Sequence, residues 1–133
     1  MAQIMLETSV CIRVIRKRPH WVAERFQNDV DSLAISTIVL HELLHGAKKS
    51  DRPATAMEKV EDFVTRLTVL DFDKVAADHA ADIKNVLGKA GNIIGPNDLL
   101  IAGHARSLSA MLITGNLREF SRVDGLRCED WLA

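Results

Sequence analysis

Short apolar segments alternate with helical patterns along this chain, and this alternation limits the possible folds more than any other feature. Strands are predicted over 3–6, 32–36, 67–70 and 110–114, with a short edge strand over 125–128. Helices are predicted over 8–17, from residue 20 to about 30, and over 37–49, 54–66, 74–89 and 96–107. Strands that alternate with helices favour an α/β fold, with a parallel sheet covered by helices on both faces.

Length and composition restrict the class of protein. With 133 residues, of which 47% are hydrophobic, the chain is expected to form one domain spanning 1–133 around an ordinary core. The net charge of −1 argues against a general nucleic-acid coat protein, which would be strongly basic. Glu7 and Arg13 interrupt the apolar N-terminal segment, so neither a signal peptide nor a membrane helix is expected. Cys11 and Cys128 form no metal or redox motif, which favours a reduced, cytoplasmic protein.

Acidic or amide side chains occur where predicted strands give way to loops or helices. They are Glu7, Glu42, Asp98 and Asn116. Three have an ordinary explanation alone: a solvated helix residue for Glu42, a first-turn acid for Asp98 and a turn residue for Asn116. Glu7 is harder to explain in this way, because it directly follows an apolar strand. In a parallel sheet, however, the carboxyl ends of the strands form the ligand-binding edge. Carboxylates that meet there repel one another and need a cation, and Mg²⁺ or Mn²⁺ prefers oxygen ligands. The pattern therefore indicates a metal-dependent enzyme acting on a phosphodiester.

Five segments together make the chain resemble the PIN-domain ribonucleases, specifically the VapC-type toxins, over almost its whole length. The first segment is Met-Leu-Glu-Thr-Ser at 5–9, and the second joins Ile-Ser at 35–36 to His-Glu-Leu at 41–43 and Gly-Ala at 46–47. The others lie at 94–102 (around Gly-Pro-Asn-Asp), at 112–120 (Leu-Ile-Thr-Gly-Asn-Leu-Arg-Glu-Phe) and at 125–131. No single segment would be specific, but their combination is.

The resemblance implies a three-layer α/β/α fold with a mainly parallel central sheet, and a Mg²⁺- or Mn²⁺-dependent endoribonuclease that cleaves tRNA or another structured RNA. It assigns Glu7, Glu42 and Asp98 as metal ligands and Asn116 as the fourth catalytic position. Thr8, Ser9 and Thr114 would support the carboxylates by hydrogen bonds, and Glu119 would lie near the pocket. The implied partners are a VapB-type antitoxin, operator DNA through that antitoxin, and a second copy in a homodimer.

One residue departs from the family pattern, which has Asp at the first acidic position where this chain has Glu7. The additional methylene moves the carboxylate by roughly one carbon–carbon bond, and Mg²⁺ sites tolerate little displacement. The departure favours an alternative function: a catalytically impaired PIN domain that mainly binds its antitoxin and, with it, operator DNA.

A second motif also contains Glu42 and would give it a different function. The sequence from His41 to His45 matches the H-E-x-x-H motif of zinc metalloproteases on a predicted helix. No further histidine follows at the spacing of the metzincins, and Glu58 and Glu61 are the acidic candidates for a third ligand. The protease remains a remote alternative, and surface or packing histidines around Glu42 are the favoured interpretation.

Basic residues give a weaker signal for RNA binding. Lys48, Lys49 and Arg118 are candidates because they are close in sequence to Glu42 and Asn116. The basic run that includes Arg16 and Arg18 either contacts RNA phosphates or forms a solvated helix face. The apolar residues around Trp21, Phe26 and Phe63 form either a groove for a partner peptide or part of the core.

Overall fold

The fold is described from a computed structural model, which covers residues 3–131. The strands are β1 (Ile4–Leu6), β2 (Leu33–Ser36), β3 (Thr68–Leu70), β4 (Met111–Ile113) and β5 (Arg127–Glu129). The helices are α1 (Thr8–Arg16), α2 (His20–Asp29), α3 (Thr37–Lys48), α4 (Pro53–Val64), α5 (Lys74–Ala90), α6 (Pro96–Ser107) and α7 (Leu117–Phe120), with a 3₁₀ turn at Val30–Ser32.

The five strands form one sheet in the order β3-β2-β1-β4-β5, and every neighbouring pair is parallel. The chain builds outward from β1 to β3 and then returns to β4 on the other side of β1. Because parallel crossovers are right-handed, this reversal places α1–α4 on one face of the sheet and α5–α7 on the other. The expected α/β fold with helices on both faces is confirmed, and the sheet is wholly rather than mainly parallel.

The core lies on both faces of β1, β2 and β4. Leu6, Ile35 and Leu112 are almost completely buried, as parallel strands covered on both faces require. Phe26 and Phe63 are also buried and stack with their ring centroids 5.3 Å apart, whereas Trp21 remains 51% exposed. The two phenylalanines therefore join the helices of one layer as core residues, and Phe63 also lines a cleft between α1 and α4.

Several predicted boundaries differ from the structure. β5 begins at Arg127 and ends at Glu129, two residues later than predicted at its start, because Gly125 turns the chain with φ +81°. The short helix α7 was not predicted, and the buried residues of α3 are Val39, Leu43 and Ala47. Residues 1, 2, 132 and 133 of the expected 1–133 domain lie outside the described residues. In the described part, no helix is both long and apolar enough to cross a membrane.

Candidate active site

The reversal of strand order between β1 and β4 brings two predicted site residues together. Glu7 follows β1 and Thr114 follows β4, and the backbone N–H of Glu7 donates to the carbonyl oxygen of Ile113 at 2.9 Å. In doubly wound sheets a ligand crevice opens at this point, beyond the carboxyl ends of the strands. The topology alone therefore selects this edge as the candidate site.

Glu7 is buried at this edge, with 6% of its surface exposed, and is fully hydrogen-bonded. It is the N-cap of α1, where its Oε2 accepts the backbone N–H of Ser9 at 2.9 Å. Its Oε1 accepts two hydroxyl groups, from Ser9 Oγ and from Thr114 Oγ1 at 2.6 Å. These donors satisfy a buried carboxylate that would otherwise be costly, and they fix its position.

Glu42 reaches the same region from α3. Its Oε1 accepts the hydroxyl of Thr8, the first residue of α1, and its Oε2 accepts Asn97 Nδ2 at 3.3 Å. The start of α3 is itself fixed, because Ser36 Oγ accepts the backbone N–H of Ile38 and lies 2.7 Å from Nδ1 of the buried His104. Desolvation lowers the pKa of His104, so the neutral ring supports this helix start as a buried packing group.

Asp98 and Glu119 form the opposite side of the site. Asp98 lies in the first turn of α6, behind Gly95 and Pro96, and Glu119 lies in α7. Glu119 Oε1 accepts the backbone N–H of Gly95 at 2.7 Å, while its Oε2 accepts Asn116 Nδ2 at 2.8 Å. A methyl group at Gly95 would lie 3.5 Å from Asp98 Oδ2 and 3.6 Å from Glu119 Oε1. The loop before α6 therefore brings the two acids onto one side of the crevice.

The four carboxylates influence one another electrostatically. The pKa of Asp98 rises from 3.8 to about 7, first through desolvation, then through a hydrogen bond with Glu119 and through repulsion by Glu119, Glu7 and Glu42. Elevated carboxyl pKa values of this kind are typical of functional clusters in clefts. Near neutral pH, Asp98 is therefore only partly ionised.

This elevated pKa predicts a pH-dependent stability for the metal-free protein. Between pH 4 and 7 the folded state binds more protons at Asp98 than the unfolded state does, so stability falls as pH rises through that window. Asp98→Asn removes the ionisation while keeping a donor toward Glu119. We therefore expect this substitution to raise the free energy of unfolding at pH 8. Because solvent screens this half-buried group, the increase should be on the order of 1 kcal/mol, or about 4 °C in Tm.

The measurement is thermal unfolding in EDTA at pH 5 and pH 8, with the exposed Asp78→Asn as control. The Tm of the Asp98→Asn protein should exceed that of the wild type only at pH 8. A Tm difference that is the same at both pH values would contradict the assigned pKa.

Most of the predicted site residues converge, and the three hydroxyl residues make the kind of contact that was expected. Thr8, Ser9 and Thr114 each donate a hydroxyl to a site carboxylate. Asn116 contacts the cluster through Glu119, and its own backbone N–H donates to Thr114 Oγ1 at 2.9 Å. Asn97 was missed by sequence reasoning, and its place beside Asp98 in the Gly-Pro-Asn-Asp segment was the only signal for it.

The oxygen donors of the site suit Mg²⁺ or Mn²⁺ in their chemistry. Within residues 3–131, no three Asp, Glu, His or Cys side chains stand close enough together to chelate one ion directly. The oxygens of Glu7, Glu42 and Glu119 instead face protein donors. Mg²⁺ commonly keeps several waters and binds through only one or two carboxylates together with substrate phosphates. Desolvation raises the pKa of Asp98 most, but repulsion by Glu119, Glu7 and Glu42 also contributes, and this repulsion is the observation that favours a cation here.

The histidines of the H-E-x-x-H segment lie on the surface of α3. His41 and His45 are exposed, and their rings stack with centroids 6.5 Å apart. No third His, Cys, Asp or Glu in the described ranges completes a metal group with them. The structure thus offers no support for the zinc-protease alternative.

A cleft of about 890 Å³ adjoins the carboxylates and lies between α1, α3 and α4. Thr8, Glu42 and Asn97 form its end at the site, and Lys49 and Arg52 line it farther along. Of the predicted RNA-binding residues, only Lys49 lines this cleft, while Lys48 and Arg118 are exposed elsewhere.

Comparisons with known proteins agree with this geometry. The PIN domain family model matches residues 4–126. The chain is 45% identical over 131 residues to the tRNA(fMet)-specific endonuclease VapC of Shigella flexneri, covering 98% of this chain and 99% of that protein. The DNA-bound VapBC structure from Salmonella typhimurium superimposes with a TM-score of 0.94 at 44% identity, covering 98% and 99% of the two chains. VapBC2 of Rickettsia felis, bound to a fragment of its promoter DNA, gives a TM-score of 0.91 at 36% identity, covering 96% and 98%. The chain therefore belongs to the PIN-domain family, and within it to the VapC group.

Proposed function

We propose that this chain is a divalent-metal-dependent endoribonuclease, the toxin of a VapBC-type toxin–antitoxin pair. The observation that carries the proposal is the convergence of Glu7, Glu42, Asp98 and Glu119 at the β1/β4 edge, where desolvation and the neighbouring carboxylates together raise the pKa of Asp98 to about 7. The names of the relatives support the same reaction class, because the Shigella protein is called a tRNA(fMet)-specific endonuclease.

Glu7, Glu42 and Asp98 are the residues that would hold Mg²⁺ or Mn²⁺. The bound ion would lower the pKa of a coordinated water and stabilise charge on the phosphate oxygens. The protein supplies the orientation: the hydroxyls of Thr8, Ser9 and Thr114 fix the carboxylates of Glu42 and Glu7.

Glu119 and Asn116 act on these three acids indirectly, by positioning. Asn116 Nδ2 and the N–H of Gly95 hold the two oxygens of Glu119, and Glu119 in turn forms a hydrogen bond with Asp98. A bound cation would favour the ionised form of Asp98. Glu119 is therefore proposed as a positioning residue and Asp98 as a catalytic one.

The proposed substrate is initiator tRNA, by analogy with the relative of 45% identity. The proposed partner is a VapB-type antitoxin, and operator DNA would be contacted through it, as suggested by the related VapBC complexes with DNA. We expect the protein to be a homodimer and to act in the cytoplasm.

The test is cleavage of initiator tRNA by the purified protein in Mg²⁺, in Mn²⁺ and in EDTA, with an elongator tRNA as control. The proposal predicts site-specific cleavage that requires the metal and prefers initiator tRNA. If the folded protein cleaves no RNA in either metal yet forms a complex with its antitoxin, the antitoxin-binding alternative based on Glu7 replaces the nuclease.

The exposed histidines provide a separate prediction. His41 and His45 line the cleft beside Glu42, but in the described residues the hydrogen bonds to the Glu42 carboxylate come from Thr8 and Asn97. His41→Ala and His45→Ala should therefore each leave metal-dependent cleavage largely intact. Inductively coupled plasma mass spectrometry should find no zinc retained after dialysis. Stoichiometric zinc that is lost in either variant would revive the protease interpretation.

A further inference from the structure

Two clefts on this molecule are joined along α1. The first is the 890 Å³ cleft beside Glu42, and the second is a cleft of about 570 Å³ between the end of α1 and the C-terminal half of α4, here called the distal cleft. Ile15, Arg16 and Lys59 line both. A ligand that enters at the carboxylates can therefore continue into the distal cleft without leaving the surface.

The two clefts concentrate positive charge on a chain whose net charge is −1. Of the 17 Lys and Arg residues, seven line them, against three of the 18 Asp and Glu residues. The seven are Arg16, Lys17, Arg18, Lys49, Arg52, Lys59 and Arg66. Arg66 pairs with Asp62 at 2.9 Å, but within the described chain Arg16, Lys17, Arg18 and Lys59 form no salt bridge. These four cations are free to bind an external polyanion.

Helix α1 links this charge to the candidate active site. Its first residue, Thr8, donates to Glu42, and its last, Arg16, lies in both clefts. Eight residues at a rise of 1.5 Å give a distance of about 12 Å along the helix axis. A nucleic-acid strand held at the carboxylates would therefore place phosphates only a few nucleotides away at the cations of the distal cleft.

We propose that the distal cleft and the shared residues Arg16 and Lys59 form an RNA-backbone site, which holds the strand that flanks the scissile phosphate. The proposal rests on the proposed ribonuclease function and extends it to substrate binding. RNA is favoured over an acidic peptide because Arg16 and Lys59 line both clefts, and the first cleft also contains Glu42, one of the carboxylates where a phosphodiester would react. Phosphate contacts by Lys and Arg position a nucleic acid without reading its sequence.

The experiment measures RNA binding separately from cleavage. Fluorescein-labelled initiator tRNA is titrated with the Asp98→Asn protein in metal-free buffer, and the dissociation constant is followed by anisotropy from 50 to 300 mM KCl. The double variant Arg16→Gln/Lys59→Gln is compared with Lys84→Gln/Lys89→Gln, which removes two exposed charges from α5 on the other face. Thermal unfolding of each protein checks that it is folded.

Loss of two phosphate contacts should lower the slope of log K against log salt by about 1.4 to 1.8 in magnitude for the cleft variant. The control variant should keep the slope of its parent. In the background with intact Asp98, the cleft variant should raise KM for tRNA cleavage with kcat nearly unchanged. A slope and affinity equal to those of the control would overturn the proposal. It would also be overturned if the cleft variant kept RNA binding but lost binding of a polyglutamate peptide, which would assign the surface to an acidic protein segment.

These results remain distinct from a failure of the proposed function. If the protein with all its carboxylates cleaves no RNA in Mg²⁺ or Mn²⁺, the ribonuclease proposal fails whatever the binding data show. If cleavage occurs and the cleft variant matches the control in slope and KM, only the RNA-backbone site fails.

Discussion

Replacing Glu42 by Gln is expected to lower kcat/KM for RNA cleavage by at least about a hundredfold, because removal of one group that stabilises transition-state charge commonly has this effect. Glutamine keeps the length of the side chain and can still accept the hydroxyl of Thr8, so the fold should be retained. The substitution removes only the negative charge, which is the property needed to hold a cation. Asp98→Asn should cause a loss of similar size for the same reason.

The measurement is single-turnover cleavage of initiator tRNA at saturating Mn²⁺. Glu58→Gln is the matched control, since Glu58 is an exposed glutamate on α4. Its activity should equal that of the wild type. If Glu42→Gln retained full activity with an unchanged requirement for metal, the carboxylate of Glu42 would have no role in catalysis.

Glu7→Asp is expected to raise metal-dependent cleavage by about a hundredfold, which is the effect that a misplacement of roughly 1 Å can have on a catalytic group. Aspartate restores the residue typical of the family at this position and shortens the side chain by one methylene. It is also a good N-cap, so α1 should begin as it does with Glu7 and the Tm should change little. Glu7→Ala should abolish cleavage.

The three proteins are to be compared on one RNA preparation in the same Mg²⁺ buffer. The opposite result, equal cleavage with Glu7 and with Asp, also has a structural basis. Ser9 and Thr114 already hold the Glu7 carboxylate through three hydrogen bonds. If the chain with Glu7 cleaves as fast as the Glu7→Asp variant, those contacts already place the longer side chain correctly, and the geometric argument for impairment is wrong.

The sequence was sufficient to predict the fold and most of the acidic cluster. Strand alternation implied a parallel sheet, and a parallel sheet brings residues that follow its strands, such as Glu7 and Thr114, to one edge. Glu42 and Asp98 could be placed because each lies on a helix whose start was marked by Ser36 or Pro96.

Other features depend on contacts that no local pattern carries. Helix α7 has four residues, which is too short for a periodic signal. The hydrogen bond from the N–H of Gly95 to Glu119 could therefore not be predicted. The amide of Asn97 reaches Glu42 across a sequence separation of 55 residues. The elevated pKa of Asp98 requires three other carboxylates from distant segments, and the joined clefts require α1 to lie against α4.

If the carboxylates at the β1/β4 edge hold the cation on which RNA cleavage depends, a Mn²⁺-soaked crystal should show the ion beside them. An anomalous difference map should show a peak bounded by Glu7, Glu42 and Asp98, and the same soak of the Asp98→Asn protein should show it weakened or lost. A peak at His41 and His45 instead would contradict this assignment of the metal site. The assignment would also be wrong if the carboxylates showed no peak in a protein that still cleaves RNA only with Mn²⁺.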